Sequence, residues 1–271
     1  MRINKLLVPL ILSMFFGNGV AVAAFTDYEK SLKAPQSVNF MNALALSFSM
    51  YFGNGKAVIT NFDKGIKALQ TEDYKTALAV LTPLAEQGYI SAQYNLGLMY
   101  SNGEGVWRNK KTAVKWYTLA AEQGLAAAQF RLGEMYQHGR GVSRNTKTMF
   151  KWYTLAAEQG HAKAQFKVGV NYWLGREHLS INYTTAVKWY TRSAKQGLSL
   201  AQDFLGGHYE RGEGVPTDYV QAYMWYSIAA HNGQKSGDES KERISKNMTA
   251  AQISQAQEMV SRCLESDYTD C

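Results

Sequence analysis

The chain has 271 residues, 46% of them hydrophobic and 19% charged, with a formal net charge of +7. That is long and apolar enough to bury a sizeable core, which argues against a disordered chain. The charges alternate in sign, without a dense Lys/Arg tract or a base-stacking motif. This excludes nucleic-acid binding and leaves a mildly basic surface suited to a weakly anionic partner, such as an acidic protein face or a cell-wall polymer.

The chain opens with MRINKLLVPLILSMFFGNGVAVAAF: Arg2 and Lys5, an apolar run from Leu6 to Phe16, then small residues at Ala21, Ala23 and Ala24. This layout predicts a secretory signal peptide over residues 1–24, cleaved after Ala23 or Ala24. The run falls short of the roughly 20 apolar residues needed to span a bilayer. No Cys follows it to take a lipid, and no later segment resembles a membrane span. The mature chain is therefore expected to be periplasmic or secreted, and loss of Arg2 and Lys5 leaves its charge at +5. Residues 25–60 form an N-terminal extension whose apolar stretch, Val38–Phe52, reads as one helix capping the first repeat or as a partner-binding arm.

From Asn61 to Gly233 the chain repeats. KWYTLAAEQG stands at Lys115–Gly124 and again at Lys151–Gly160, with KWYTRSAKQG at Lys188–Gly197. The pairs Trp116-Tyr117, Trp152-Tyr153, Trp189-Tyr190 and Trp225-Tyr226 recur with periods of 36, 37 and 36 residues. Seven residues before each Trp stands Asn109, Asn145, Asn182 or Asp218, side chains that accept from the free amides of a helix start. Eight residues after each Trp stands Gly124, Gly160, Gly197 or Gly233, where a helix can end. A helix of about fourteen residues is bracketed between them, with Ala113, Trp116, Tyr117, Ala120 and Ala121 on one apolar face. A second helix precedes it, carrying AQYNLGLMYSNG from Ala92 and its counterparts from Ala128, Ala164 and Ala201. Mid-helix Gly97, Gly133, Gly169 and Gly206 recur in one register. Each costs about 1 kcal/mol against Ala, so their return argues for close helix contact. An opening unit fits as well, with Asp73 as its cap and Ala77 where Ala113 stands. Each unit is thus an antiparallel helix pair whose apolar face only the next unit can bury, so about five units stack.

The pattern A-x-x-x-L-G-x-x-Y-x-x-G-x-G-V in Ala92–Val106, followed by K-x-A-x-x-W-Y-x-x-A-A-x-x-G, read loosely in Lys110–Gly124, resembles the Sel1-like repeat, a relative of the tetratricopeptide repeat. The loops Gly103-Glu104-Gly105-Val106, Gly139-Arg140-Gly141-Val142 and Gly212-Glu213-Gly214-Val215 favour that family; Gly175-Arg176-Glu177-His178 departs from it. The resemblance implies an all-α fold, a right-handed α/α solenoid of antiparallel helix pairs. The cysteine-rich branch of the family, associated with penicillin-like or peptidoglycan-derived compounds, is a poor match because these repeats contain no cysteine.

Residues 234–271 read as a C-terminal cap. Lys241–Glu265 carries a Thr249 cap before AAQISQAQEMV and is predicted to be the polar-faced terminal helix that a solenoid needs. Cys263 and Cys271, the two cysteines, are expected to pair as a local disulfide after export.

A search for chemistry returns nothing catalytic. The G-x-G loops lack a third Gly, a preceding strand and the Lys-Ser/Thr of a phosphate loop. The five histidines form no HExxH, and there is no SxxK, GxSxG or catalytic Cys. No metal, cofactor or enzymatic activity is expected. Function then falls to the concave face that stacked helix pairs offer. Asn95, Arg131, Lys167 and Phe204 share one variable register. Asn102, His138, Leu174 and Arg211 share another, seven residues on. These are expected to line a groove for a protein or peptide, with Trp173 near its edge and Arg131, Lys167 and Arg211 contacting acidic groups. The leading expectation is a non-catalytic adaptor, scaffold or assembly factor. The alternatives are a cell-wall-associated binder or weak hydrolase of peptidoglycan fragments or β-lactams, and a host-interaction factor.

Overall fold

The computed structural model describes residues 55–176 and 179–271. The expected leader and the Val38–Phe52 stretch lie outside the described residues, as do Glu177 and His178. The described residues form twelve α-helices and no strand: α1 (Gly55–Gln70), α2 (Tyr74–Glu86), α3 (Ile90–Asn102), α4 (Lys110–Glu122), α5 (Ala126–His138), α6 (Thr146–Glu158), α7 (Ala162–Leu174), α8 (Tyr183–Ala194), α9 (Ser199–Arg211), α10 (Tyr219–His231), α11 (Lys235–Ser245) and α12 (Ala250–Glu265). The described residues divide into two compact units, those up to 128 with 140–142, and 129–139 with those from 143 onward.

The helix starts follow from their caps. Oδ1 of Asp73 and Asn109 accepts from the amides of Thr76 and Thr112 in the first unit. Asn145, Asn182 and Asp218 do the same for Thr148, Thr185 and Gln221 in the second. In the first unit α3 and α4 run antiparallel. Gly97 lies against the Tyr117 ring, and Lys110 Nζ donates to the Ser101 hydroxyl at 2.9 Å. The same glycine–tyrosine contact recurs in the second unit, where a Cβ on Gly169 would sit 2.7 Å from the Tyr190 ring and one on Gly206 2.8 Å from that of Tyr226. In the opening pair Leu81 takes the place of the tyrosine, and a Cβ on Gly65 would sit 2.8 Å from its side chain. Close helix approach is therefore what keeps glycine mid-helix.

The tyrosine of each Trp-Tyr pair is buried, but Trp116, Trp152 and Trp189 are only half-buried. Lys151 lies over the Trp152 ring and Arg192 over that of Trp189, at 5.3 and 4.7 Å from the centroids. Those indoles sit at the edge of the packed face, where a cation can cover them.

A ladder of amides, with one buried glutamine in each rung, locks the helices together. Gln93 Nε2 donates to Ala85 O of the preceding pair, and its Oε1 accepts from Gln123 at 2.8 Å. In the second unit Gln159 donates to Gln129, Gln165 to Ala157 O, Gln196 to Gln165, Gln202 to Ala194 O and Asn232 to Gln202. One side chain thus satisfies groups on two other helices. Such a satisfied network fixes register as well as adding stability.

The C-terminal stretch holds two helices where one was expected. Ile244 is buried and anchors α11, and Gly237 allows α11 to approach the backbone of α10. Thr249 then starts α12 with a full capping box to Gln252. Met259, Val260 and Leu264 of α12 pack on the core around Trp225 and Ile228. Cys263 and Cys271 are joined by a disulfide.

Candidate partner-binding surface

The variable positions lie on the first helix of each pair, because the second helix is occupied by its caps, its buried tyrosine and its amide rung. In the first unit Asn95 is half-buried and turned back on its own helix, Nδ2 donating to Ser91 O at 2.8 Å. Asn102 is exposed and donates to Glu104 Oε1 at 2.7 Å.

The second unit holds the other seven. Arg131 pairs with Glu134 at 2.9 Å, and Arg211 with Glu213 at 3.1 Å. Arg211 foremost, with Trp173 contributing, holds the Glu213 carboxyl below its ordinary range. Two of the three cations expected to meet an acidic partner therefore already face carboxylates of their own helix or loop. Lys167 is half-buried, and its ammonium makes no ion pair within the described structure. His138 is exposed. Leu174 is exposed beside Gly175, which Ile181, also exposed, overlies.

Phe204 and Trp173 form an aromatic corner rather than two isolated contact residues. The Phe204 ring stands edge-on to Trp173 at 5.7 Å and to Phe166 at 5.1 Å, and lies tilted on Tyr190 at 5.5 Å. Both are half-buried against the core, so each presents one surface to solvent from a rigid base.

Two histidines escape the sequence pattern. His161 caps α7 through Nδ1, stacks on Phe130 at 4.6 Å, and has its pKa lowered by burial. His208 is fully buried in the register of Met99 and Met135, Nδ1 bonded to Glu213 O at 2.8 Å and Nε2 without a protein partner. Burial lowers its pKa as well, and Arg211 adds to that. The signal for His208 was the register itself, since an imidazole there replaces a core methionine. Among the described residues no three His, Cys, Asp or Glu side chains gather to hold a metal ion, and no helix is long and apolar enough to cross a membrane. What the second unit offers is an aromatic corner of Trp173 and Phe204, with Lys167 in the register of Phe204 one pair earlier.

The family model of the Sel1 repeat matches residues 90–125, 126–161, 162–198 and 199–234. Among solved structures, a Sel1 repeat protein from Oxalobacter formigenes is 33% identical over 67% of this chain and 74% of its own, with a TM-score of 0.63. A protective antigen present in uropathogenic Escherichia coli strains, displaying an SLR fold, is 21% identical over 97% of this chain and 85% of its own, at a TM-score of 0.36. A Sel1 repeat protein from Klebsiella pneumoniae subsp. pneumoniae is 19% identical over 73% and 98%, at 0.44. No curated protein matches the chain.

Proposed function

The chain belongs to the Sel1 repeat family, and from that premise we propose that it is an exported, non-catalytic adaptor that binds a protein or peptide on the exposed faces of its first helices. Sel1 repeats generally mediate protein–protein interaction, and the family is typically non-catalytic. The observation that carries the reading is the contrast within each pair. Caps, tyrosines, glycines and amide rungs recur unit by unit, while Lys167, Trp173, Leu174 and Phe204 break the pattern on one face. A frame that stays constant under a face that varies is how repeat proteins tune a binding surface. In this reading residues 1–24 are the export leader, residues 25–60 cap or extend the solenoid, and residues 234–271 close it. The Cys263–Cys271 disulfide is in keeping with an oxidising compartment.

Because Arg131 and Arg211 are paired internally, the contribution to an acidic partner centres on Lys167, and that of the aromatic corner on Trp173. Affinity capture from the source envelope tests this with the native chain beside Lys167→Glu and Trp173→Ala. One protein lost with both substitutions, at unchanged melting temperature, establishes the adaptor. Equal capture by all three chains refutes the surface. Turnover of a β-lactam or a peptidoglycan fragment by the purified chain would replace the adaptor reading with the hydrolase one.

A further inference from the structure

Trp107 is 95% exposed, although it sits in a tightly held loop of the first unit. The Asn109 amide donates to Tyr100 O at 2.8 Å just after it, and just before it Gly105, at positive φ, packs on the backbone of Tyr74. The loop frame does not require an indole, since the aligned positions carry Ser143 and Pro216. On the α4 side of Trp107 the surface is cationic, while Glu72 and Asp73 are exposed carboxylates next to Tyr74 on the side where Gly105 packs. Arg108 follows it, Lys111 lies in the first turn of α4, and the Arg140-Gly141 turn rests on that same turn, a Cβ on Gly141 falling 2.8 Å from Lys111 N. Arg108, Lys111 and Arg140 are all exposed, and Lys110 lies in the field of both arginines. Glu104 is the sole carboxylate from Gly103 to Trp116, and Asn102 occupies it.

We infer that this loop surface docks on an anionic lipid membrane, with the Trp107 indole at the headgroup level and Arg108, Lys111 and Arg140 on lipid phosphates. Charge complementarity requires an anionic partner, and the shape of the surface selects a bilayer. A stable protein interface buries roughly 800 Å² per partner around an apolar centre. One indole on a loop and flanked by cations has no such centre. A bilayer interface needs none: it takes an amphipathic ring on one side and attracts each nearby cation by its surface potential. The inference does not rest on Lys167, Trp173 or Phe204, which lie in the other unit.

The test is flotation of the full chain with phosphatidylcholine vesicles, with and without one-third phosphatidylglycerol. The first 24 residues are the same in every variant, so differences between variants report on the loop. The native chain is expected to float more with the anionic than with the neutral vesicles, and the excess to be released by raised salt. Trp107→Ala should weaken the association several-fold. The triple reversal Arg108→Glu, Lys111→Glu, Arg140→Glu should weaken it by well over tenfold, since each cation contributes roughly a factor of five. Subtracting the emission of Trp107→Phe from that of the native chain should isolate a Trp107 signal that shifts to shorter wavelength on the vesicles. Absence of flotation, equal flotation of all variants, or equal flotation with neutral vesicles overturns the inference. Binding to soluble polyglutamate with the same charge dependence, but not to vesicles, overturns it in favour of an acidic protein.

Discussion

The Tyr268 hydroxyl donates a 3.0 Å hydrogen bond to Oδ1 of Asn232, whose Nδ2 donates to Gln202 at 2.9 Å. The C-terminal tail thereby closes the last rung of the amide ladder. Lys195 Nζ reaches Thr269 O at 3.2 Å, and the Tyr268 ring lies over Gly197. The disulfide holds this arrangement across a separation of eight residues, and closing so short a loop restrains the unfolded chain by about 2 kcal/mol. Cys271→Ser should lower the unfolding free energy by about that amount and open the last residues to carboxypeptidase. An unchanged denaturation midpoint, with the tail still resistant, would show that the hydrogen bonds suffice alone.

Gly133 lies against the Tyr153 ring, and a Cβ there would enter it. Tyr153 cannot withdraw, because it is buried and its hydroxyl donates to Gln137 at 2.6 Å. Gly133→Leu must therefore push α5 from α6, at a cost of about 3 kcal/mol as overpacking. Thermal denaturation decides it: a native melting temperature would sink the close-contact account.

The local features were legible in the sequence and the tertiary ones were not. Asn145 reads as a cap because its chemistry involves an amide three residues away, and Gly133 reads as a contact because nothing else explains glycine in mid-helix. Gln165 gave no such signal. A glutamine on a helix passes for surface until the preceding pair supplies Ala157 O and its own pair supplies Gln196. The Thr249 start of α12 is legible, but α11 is not, because Lys235–Ser245 is too polar to show a core face and buried Ile244 does the anchoring. At the candidate surface the registers of Lys167 and Phe204 were readable. The internal pairing of Arg131 and Arg211 was not, since it depends on rotamers, and Trp173 meeting Phe204 depends on how two pairs stack.

Gln165→Leu tests the ladder. The substitution keeps the volume roughly constant, but removes the side-chain donor of Ala157 O, which keeps its bond from Gly160 N, and the Gln165 acceptor of Gln196, which keeps its bond to Arg192 O. Losing these two inter-helix hydrogen bonds costs about 1–3 kcal/mol in all, at roughly 0.5–1.5 kcal/mol each. The same change at exposed Gln123 removes a donor at the edge, which water replaces, and should cost less. Equal losses at the two positions would mean that the ladder acts by packing alone.

His208 should make stability depend on pH. Its Nδ1–H donates to Glu213 O, so the lone pair of Nε2 points into protein with nothing to accept from. Protonation would place a second donor there. Around it stand the Glu213 carboxylate at 3.7 Å, Arg211 on its own helix, and the rings of Tyr183 and Tyr190 on α8. Burial is the largest influence and lowers the pKa, so the folded state keeps the imidazole neutral while the unfolded chain takes up a proton near pH 6.5. Above that pH neither state binds the proton and the residue contributes no slope. Below it the unfolded state binds more protons, so stability falls as the pH drops, levelling off only below the depressed folded value. His161, also lowered by burial, adds to the same limb, and the readout must therefore be a difference between chains. His208→Met, which restores the residue type of Met99 and Met135, should flatten the loss of stability between about pH 6.5 and pH 5 while leaving the alkaline side unchanged. Denaturation midpoints that fall in parallel for the two chains would show that His208 gains a partner on protonation and that its burial carries no penalty.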